Sequence, residues 1–166
     1  FADQPAPYVN EVISKLGLDA VQLCGDEGLG YCGEMIAPIY KVVGIDATVP
    51  RSVILPKIMI LLQRHSLAGH GLVLDARSEG EYGGTGSKVD WDLASELSTS
   101  FKFSLAGGLT PDNVEEAVRK VKPFGVDTSS GVEMIDTVTG GRAKDPSKIR
   151  SFITAVRDVD EYRASR

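Results

Sequence analysis

Phe103-Ser104-Leu105-Ala106-Gly107-Gly108-Leu109-Thr110-Pro111-Asp112-Asn113-Val114 holds a complete strand–loop–helix unit. Phe103 to Ala106 reads as a short apolar strand, and Gly107 and Gly108 turn the chain. Thr110 is placed to cap a helix that has Pro111 at its first position. Val114, Ala117, Val118 and Val121 then recur at helical spacing. A further strand, Phe124 to Asp127, follows at once and runs into Thr128-Ser129-Ser130-Gly131. Glycine lets backbone N–H groups come close to an anion. Two such turns after successive strands predict a phosphate site shared by adjacent loops. The bland alternative is that Gly107, Gly108 and Gly131 merely relieve turns.

The same unit repeats toward both ends. Ala20 to Leu23 is a strand, followed by Gly25-Asp26-Glu27 and a helical stretch through Met35. Ile39 to Val43 is a strand, Asp46 to Pro50 a loop, and Ser52 to Gln63 a helix that Pro56 starts or kinks. Leu72 to Leu74 is a strand ending at Asp75, and a long loop from Ala76 to Asp90 leads to a short helix from Trp91. The last helix takes Asp145 as its cap and Pro146 next, with Ile149, Phe152, Ile153 and Val156 as its inner face. Strands alternating with helices predict an α/β fold with a parallel sheet covered by helices. Short continuous apolar strands predict burial on both faces. The polar and glycine-rich residues follow the strands, and that carboxyl edge is where ligands bind in parallel α/β folds.

The chain has 166 residues, of which 42% are hydrophobic, and a net charge of −5. That suits one domain with a real core. No basic stripe marks a nucleic-acid surface. The longest apolar stretch, Ile54 to Leu62, is broken by Pro56 and Lys57 and is too short to span a bilayer. No signal-peptide pattern opens the sequence. Cys24 and Cys32 could pair in principle, but two cysteines make no disulfide scaffold, and a reducing cytosolic setting is expected.

Several other residues could carry chemistry. Asp75, at a strand end, is a general acid if burial raises its pKa, or else a cap or loop hydrogen-bond acceptor. Asp127 could hold a substrate hydroxyl or amine, or orient the turn after it. Gly83-Gly84-Thr85-Gly86 suggests a lid or a close backbone approach, and lacks the Lys-Ser/Thr ending of a nucleotide loop. Cys24 ends a strand and could be a base or nucleophile, or a small packed residue. Cys32 reads as packing. His65 and His70 fall before a strand, at the amino edge, where a surface role is expected. No metal-ligand spacing is visible among Cys, His and carboxylate groups.

Taken together, five segments resemble the phosphoribosylanthranilate isomerase family of tryptophan biosynthesis. They are Ala20 to Glu27, Leu72 to Asp75, Gly83 to Gly86 with Asp90-Trp91, Ala106 to Asn113, and Val126 to Glu133. They occur in family order and spacing across nearly the whole chain, and the wording looks most like fungal members. In those, the domain often ends a larger multifunctional chain. The resemblance implies a (β/α) barrel of eight strands and an Amadori rearrangement. N-(5′-phosphoribosyl)anthranilate becomes 1-(2-carboxyphenylamino)-1-deoxyribulose 5-phosphate, without metal or organic cofactor. It implies that Asp75 protonates the ribose ring oxygen as general acid. Gly107, Gly108, Ser129, Ser130 and Gly131 would hold the phosphate, and Asp127 would contact the substrate near the reacting carbons or amine. The implied partner is a phosphorylated small molecule, with no nucleic acid and no membrane, in a protein fused to or associated with other tryptophan-pathway domains.

The sequence departs from the family pattern in two ways. Phe1-Ala2-Asp3 resembles the end of the family's third strand. The preceding stretch carries the family's cysteine base, in a Lys-Ile-Cys-Gly type motif, and an anthranilate-binding arginine; neither is in this sequence. Residues 1–166 are therefore expected to be a single C-terminal portion of the barrel, from the end of strand three through helix eight. Whole barrels run to about 250 residues, with roughly 200 near the lower limit. Such a piece leaves open edges and a bare inner face, and is expected to need further chain or a partner chain. The second departure is Cys24, which stands where the family usually has histidine. Asp26-Glu27 sets its register as strand four, so the base role is not assigned to it. Two rival readings remain. One is a phosphate-binding or structural piece without chemistry. The other is a neighbouring barrel enzyme such as indole-glycerol-phosphate synthase, whose catalytic lysine could only be Lys41.

Overall fold

The structure, a computed structural model, describes residues 1–77, 90–137 and 140–164. Five parallel strands form one sheet: β1 (Val21–Leu23), β2 (Ile39–Asp46), β3 (Gly71–Arg77), β4 (Ser104–Leu105) and β5 (Gly125–Val126). Their spatial order, β1-β2-β3-β4-β5, is their order in the chain. Parallel neighbours must be joined by crossovers, and crossovers of one hand that always step the same way lie on the same face of the sheet. The helices accordingly pack on one face. They are α1 (Ala6–Leu16), α2 (Leu29–Cys32), α3 (Arg51–Leu67), α4 (Trp91–Ser98), α5 (Val114–Val121) and α6 (Pro146–Ala164). Such a singly wound sheet keeps one face free of helices, unlike a doubly wound sandwich, in which helices cover both.

Burial follows strand parity. Val43, Ile45, Leu72, Leu74, Ala76 and Leu105 point into the main core. There they meet Ile54, Ile58 and Leu62 of α3, Leu93 and Leu97 of α4, and the Val114, Ala117, Val118 and Val121 face of α5. A smaller core joins Val9 and Ile13 of α1 to Val21, Leu23, Cys32 and Ile39. The opposite parity (Gln22, Tyr40, Val42, Gly44, Asp75, Ser104) forms an inner face that ranges from half-buried to exposed. The expectation that both faces would be buried therefore fails: only the helix face is packed, although Val73 is buried within the inner row.

Local chemistry explains the element ends. Asp90 caps α4, its Oδ1 accepting the Asp92 and Leu93 N–H groups at 2.9 and 3.1 Å. Asp145 does the same for α6 through the Ser147 and Lys148 N–H groups. Gly17, at φ +63°, closes α1 in the left-handed conformation, its N–H bonded to the Ile13 carbonyl. Several expectations are corrected. Thr110 does not start a helix: Pro111 to Asn113 form a turn, and α5 begins only at Val114. The turn is closed by the Thr110 N–H on the Asn113 carboxamide oxygen at 2.8 Å and by the Asn113 and Val114 N–H groups on the Thr110 carbonyl at 3.2 and 3.0 Å. The stretch to Met35 is helical only over Leu29–Cys32, where Gly28, Gly30 and Gly33 weaken it. Ile153 is exposed on α6, and Val159 takes the buried position in its place. Two elements escaped the sequence reading. One is α1; the other is an antiparallel hairpin, β6 (Glu133–Ile135) with β7 (Arg142–Lys144). Among the described residues no helix is long and apolar enough to cross a membrane.

Phe1 lies beside β1. Its ammonium donates to the Gln22 carbonyl at 2.8 Å and its own carbonyl accepts the Cys24 N–H at 2.7 Å. That bracket around Leu23 is the parallel-ladder pattern.

Candidate active site

Asp75 occupies the β3 position opposite Gly44, with parity that aims it at the inner face. Asp127 follows β5, where its N–H still bonds the Leu105 carbonyl at 2.9 Å. The two carboxylates line one cleft of about 650 Å³ at the carboxyl edge, together with Gln22, Cys24, Gly44 and Ser129. Burial pushes the Asp75 carboxyl above the usual carboxylate range. The Asp127 charge pushes the same way, against a bond from the Ala76 N–H. A carboxyl that holds its proton to higher pH than usual is better placed to donate it to a leaving oxygen.

The two glycine loops meet. Thr128 Oγ1 donates to the Leu109 carbonyl at 2.7 Å. A Cβ on Gly131 would lie 1.9 Å from that same oxygen, so only glycine permits the contact. Gly107 and Gly108 have φ of +85° and +64°, which side-chain-bearing residues avoid. Among the described residues, their N–H groups donate to no protein acceptor. Of the residues read as phosphate-binding, Ser129 lines the cleft, while Gly107 and Gly108 lie in the turn after β4 and Ser130 and Gly131 in a single 3-10 turn, Ser130–Val132. Gly83-Gly84-Thr85-Gly86 lies outside the described residues.

Lys144 is a functional candidate that sequence reasoning missed. Its Nζ donates to Ser129 O and Oγ at 2.8 and 3.1 Å and to Glu133 Oε1 at 2.8 Å, which brings a cation to the second loop. Its position depends on the unforeseen hairpin, whose Met134 and Ile135 are exposed and give no alternating signal.

Lys41 is not on the inner face. It points into the helix layer, where Nζ donates to Gly25 O and Glu27 Oε2, each at 2.6 Å. Burial favours protonation of Glu27, but bonds from the Asp3 N–H and Lys41 outweigh it and hold the pKa below the usual value. Lys41 is thus unable to serve as the catalytic lysine of an indole-glycerol-phosphate synthase.

The histidines correct a further expectation. His65 is only 3% exposed, and its Nδ1 lies 2.9 Å from Nδ1 of His70. Burial and the facing His70 bring His65 down to about 4; burial lowers His70 as well. Cys32 sits beside them, so three potential ligands that no sequence spacing announces come together. Cys24 and Cys32 are both free thiols.

Comparison with known proteins places this geometry. The family described as N-(5′-phosphoribosyl)anthranilate (PRA) isomerase matches residues 1–155. The N-(5′-phosphoribosyl)anthranilate isomerase of Roseiflexus castenholzii is 38% identical over 160 residues, covering 95% of this chain and 68% of that protein. The crystal structure of the Thermotoga maritima enzyme superposes with a TM-score of 0.72 at 28% identity, over 95% of this chain and 71% of that one. A further phosphoribosyl anthranilate isomerase, solved with reduced 1-(o-carboxyphenylamino)-1-deoxyribulose 5-phosphate, gives 0.69 at 27% identity, over 95% and 69%. This chain thus spans about seven tenths of each relative's length. These two named organisms are bacteria, and they lend the fungal likeness of the wording no support. A matching family over nearly the whole sequence, a singly wound sheet and shared architecture agree: the chain belongs to the N-(5′-phosphoribosyl)anthranilate isomerase family.

Proposed function

We propose that this chain carries the acid and phosphate half of a site that isomerises N-(5′-phosphoribosyl)anthranilate to 1-(2-carboxyphenylamino)-1-deoxyribulose 5-phosphate. The observation that carries the reading is Asp75. It is a desolvated carboxyl on the inner face, sharing a cleft with Asp127 and Ser129 beside two joined glycine loops. In this reading Asp75 gives its proton to the ribose ring oxygen as the C1′–O bond breaks and the anilino nitrogen forms an iminium. Loss of the C2′ proton then gives an enolamine, which tautomerises to the ketose. Gly107, Gly108, Ser129, Ser130 and Gly131 hold the phosphate through backbone N–H and hydroxyl donors. Asp127 faces the reacting carbons or amine.

The base that takes the C2′ proton is not assigned among the described residues. Cys24 lines the cleft, but its strand register does not match the family's base. The five strands correspond in this reading to strands four to eight of the barrel, with Phe1–Asp3 ending strand three; the Phe1 bracket on β1 supports it. Residues 1–166 then form one portion of a single domain, in a chain that carries or associates with other tryptophan-pathway domains.

The test is conversion of phosphoribosylanthranilate, followed by anthranilate fluorescence, by this chain completed with the barrel segment that carries the family's base. Turnover that falls by about 10²–10⁴ in Asp75→Asn supports the assignment. Tight binding of the reduced product analogue without turnover favours a purely binding role. A Cys24→Ser variant with unchanged turnover keeps that thiol out of the chemistry.

A further inference from the structure

The helix layer holds a cluster that the isomerisation does not use. Cys32 ends α2, His65 lies in the last turn of α3, and His70 immediately precedes β3. One ligand atom from each lies within 4.8 Å of the other two. The imidazoles present Nδ1 to Nδ1 at 2.9 Å, with ring centroids 5.2 Å apart and planes tilted by 39°. Two ligand nitrogens about 2.0–2.1 Å from a tetrahedral zinc stand roughly 3.3 Å apart, so the pair is a few tenths of an ångström from ligating separation. Cys32 and His65 are buried, at 4% and 3% exposure, and His70 is half-buried.

We propose that Cys32, His65 and His70 form a zinc-class metal site that ties the end of α2 to the α3–β3 connection. One thiolate and two imidazoles are a borderline-soft set, suited to zinc and unsuited to magnesium or calcium. Three protein ligands leave a fourth position for a water molecule. The nearby Lys41 ammonium does not oppose a cation unchecked, because the Glu27 carboxylate neutralises it at 2.6 Å. The site lies outward of the sheet, so it stands or falls separately from the isomerase assignment.

Chelator-treated protein titrated with Zn²⁺ against a chromophoric competitor should bind one equivalent, and Zn²⁺ should raise Tm. Co²⁺ should give the visible bands of a tetrahedral site and a thiolate-to-metal charge-transfer band in the near ultraviolet. The chain has two cysteines, so Cys24→Ser leaves Cys32 as the sole thiol and should keep that band. His70→Gln should weaken Zn²⁺ binding at least about tenfold. Absence of stoichiometric binding, absence of the charge-transfer band, its loss in Cys24→Ser, or full affinity in His70→Gln would each overturn the proposal.

Discussion

Asp75 reaches the inner face because its parity on β3 is opposite to that of Leu72, Leu74 and Ala76, which the helix layer claims. Its position makes two demands that a variant separates. A carboxyl whose folded-state pKa is raised binds its proton more tightly folded than unfolded. Its stabilising contribution is complete below the unfolded pKa and is lost as pH rises through the folded one. Ionised Asp75 therefore costs stability at neutral pH. Asp75→Asn should lose turnover yet melt at a higher temperature than the parent there, with the difference shrinking in acid. Turnover of the parent should fall on the alkaline side as Asp75 ionises, and a pH–rate profile checks it. Gly131→Ala should be costly for the opposite reason. Its Cβ would meet the Leu109 carbonyl at 1.9 Å, so the two loops must part. The expected loss is about 1–3 kcal/mol by chemical denaturation, with weakened phosphate binding by calorimetry. Asp75 and the loop glycines were legible in the sequence because strand ends and glycine turns are local signals. Lys144 and the Cys32–His65–His70 cluster were not, since long-range packing brings them together.

The elements differ in how plainly the sequence announced them. Helices α4 and α6 were readable at their starts because Asp90 and Asp145 bond the following N–H groups. For α5 the Thr-Pro signature marks the turn that leads into the helix, closed by the Thr110 N–H on the Asn113 carboxamide oxygen. Helix α1 carries its own signal in the sequence: Ala6, Val9 and Ile13 at helical spacing, ended by Gly17. Strands β2 and β3 run longer than their apolar cores because seven register pairs hold their polar ends together. Between β1 and β2 the buried Lys41–Glu27 pair fixes the first loop and, through the Asp3 N–H on Glu27 Oε1 at 2.8 Å, the Phe1–Asp3 segment. Removing one charge strands the other. Glu27→Gln should destabilise by roughly 3–5 kcal/mol, and adding Lys41→Met should recover much of it. Because the Glu27 pKa is depressed, its contribution is present above the unfolded pKa and lost as pH falls through the folded one. Denaturant titrations of the single and double variants at neutral and acidic pH read both effects.

At the scale of the molecule, alternation of strands and helices gave the class, while the winding decided the architecture. Sequential strand order with every helix on one face makes the other face an inner surface. Asp75, Asp127 and Ser129 open onto it through one cleft, beside the glycine loops. The most direct test is a crystal structure of the protein with reduced 1-(o-carboxyphenylamino)-1-deoxyribulose 5-phosphate, the ligand of a related isomerase. The predicted result places the phosphate within hydrogen-bonding reach of the Gly107–Gly108 and Ser129–Gly131 N–H groups, with the opened sugar against Asp75. A phosphate bound elsewhere, or a sugar out of reach of Asp75, would contradict the assignment.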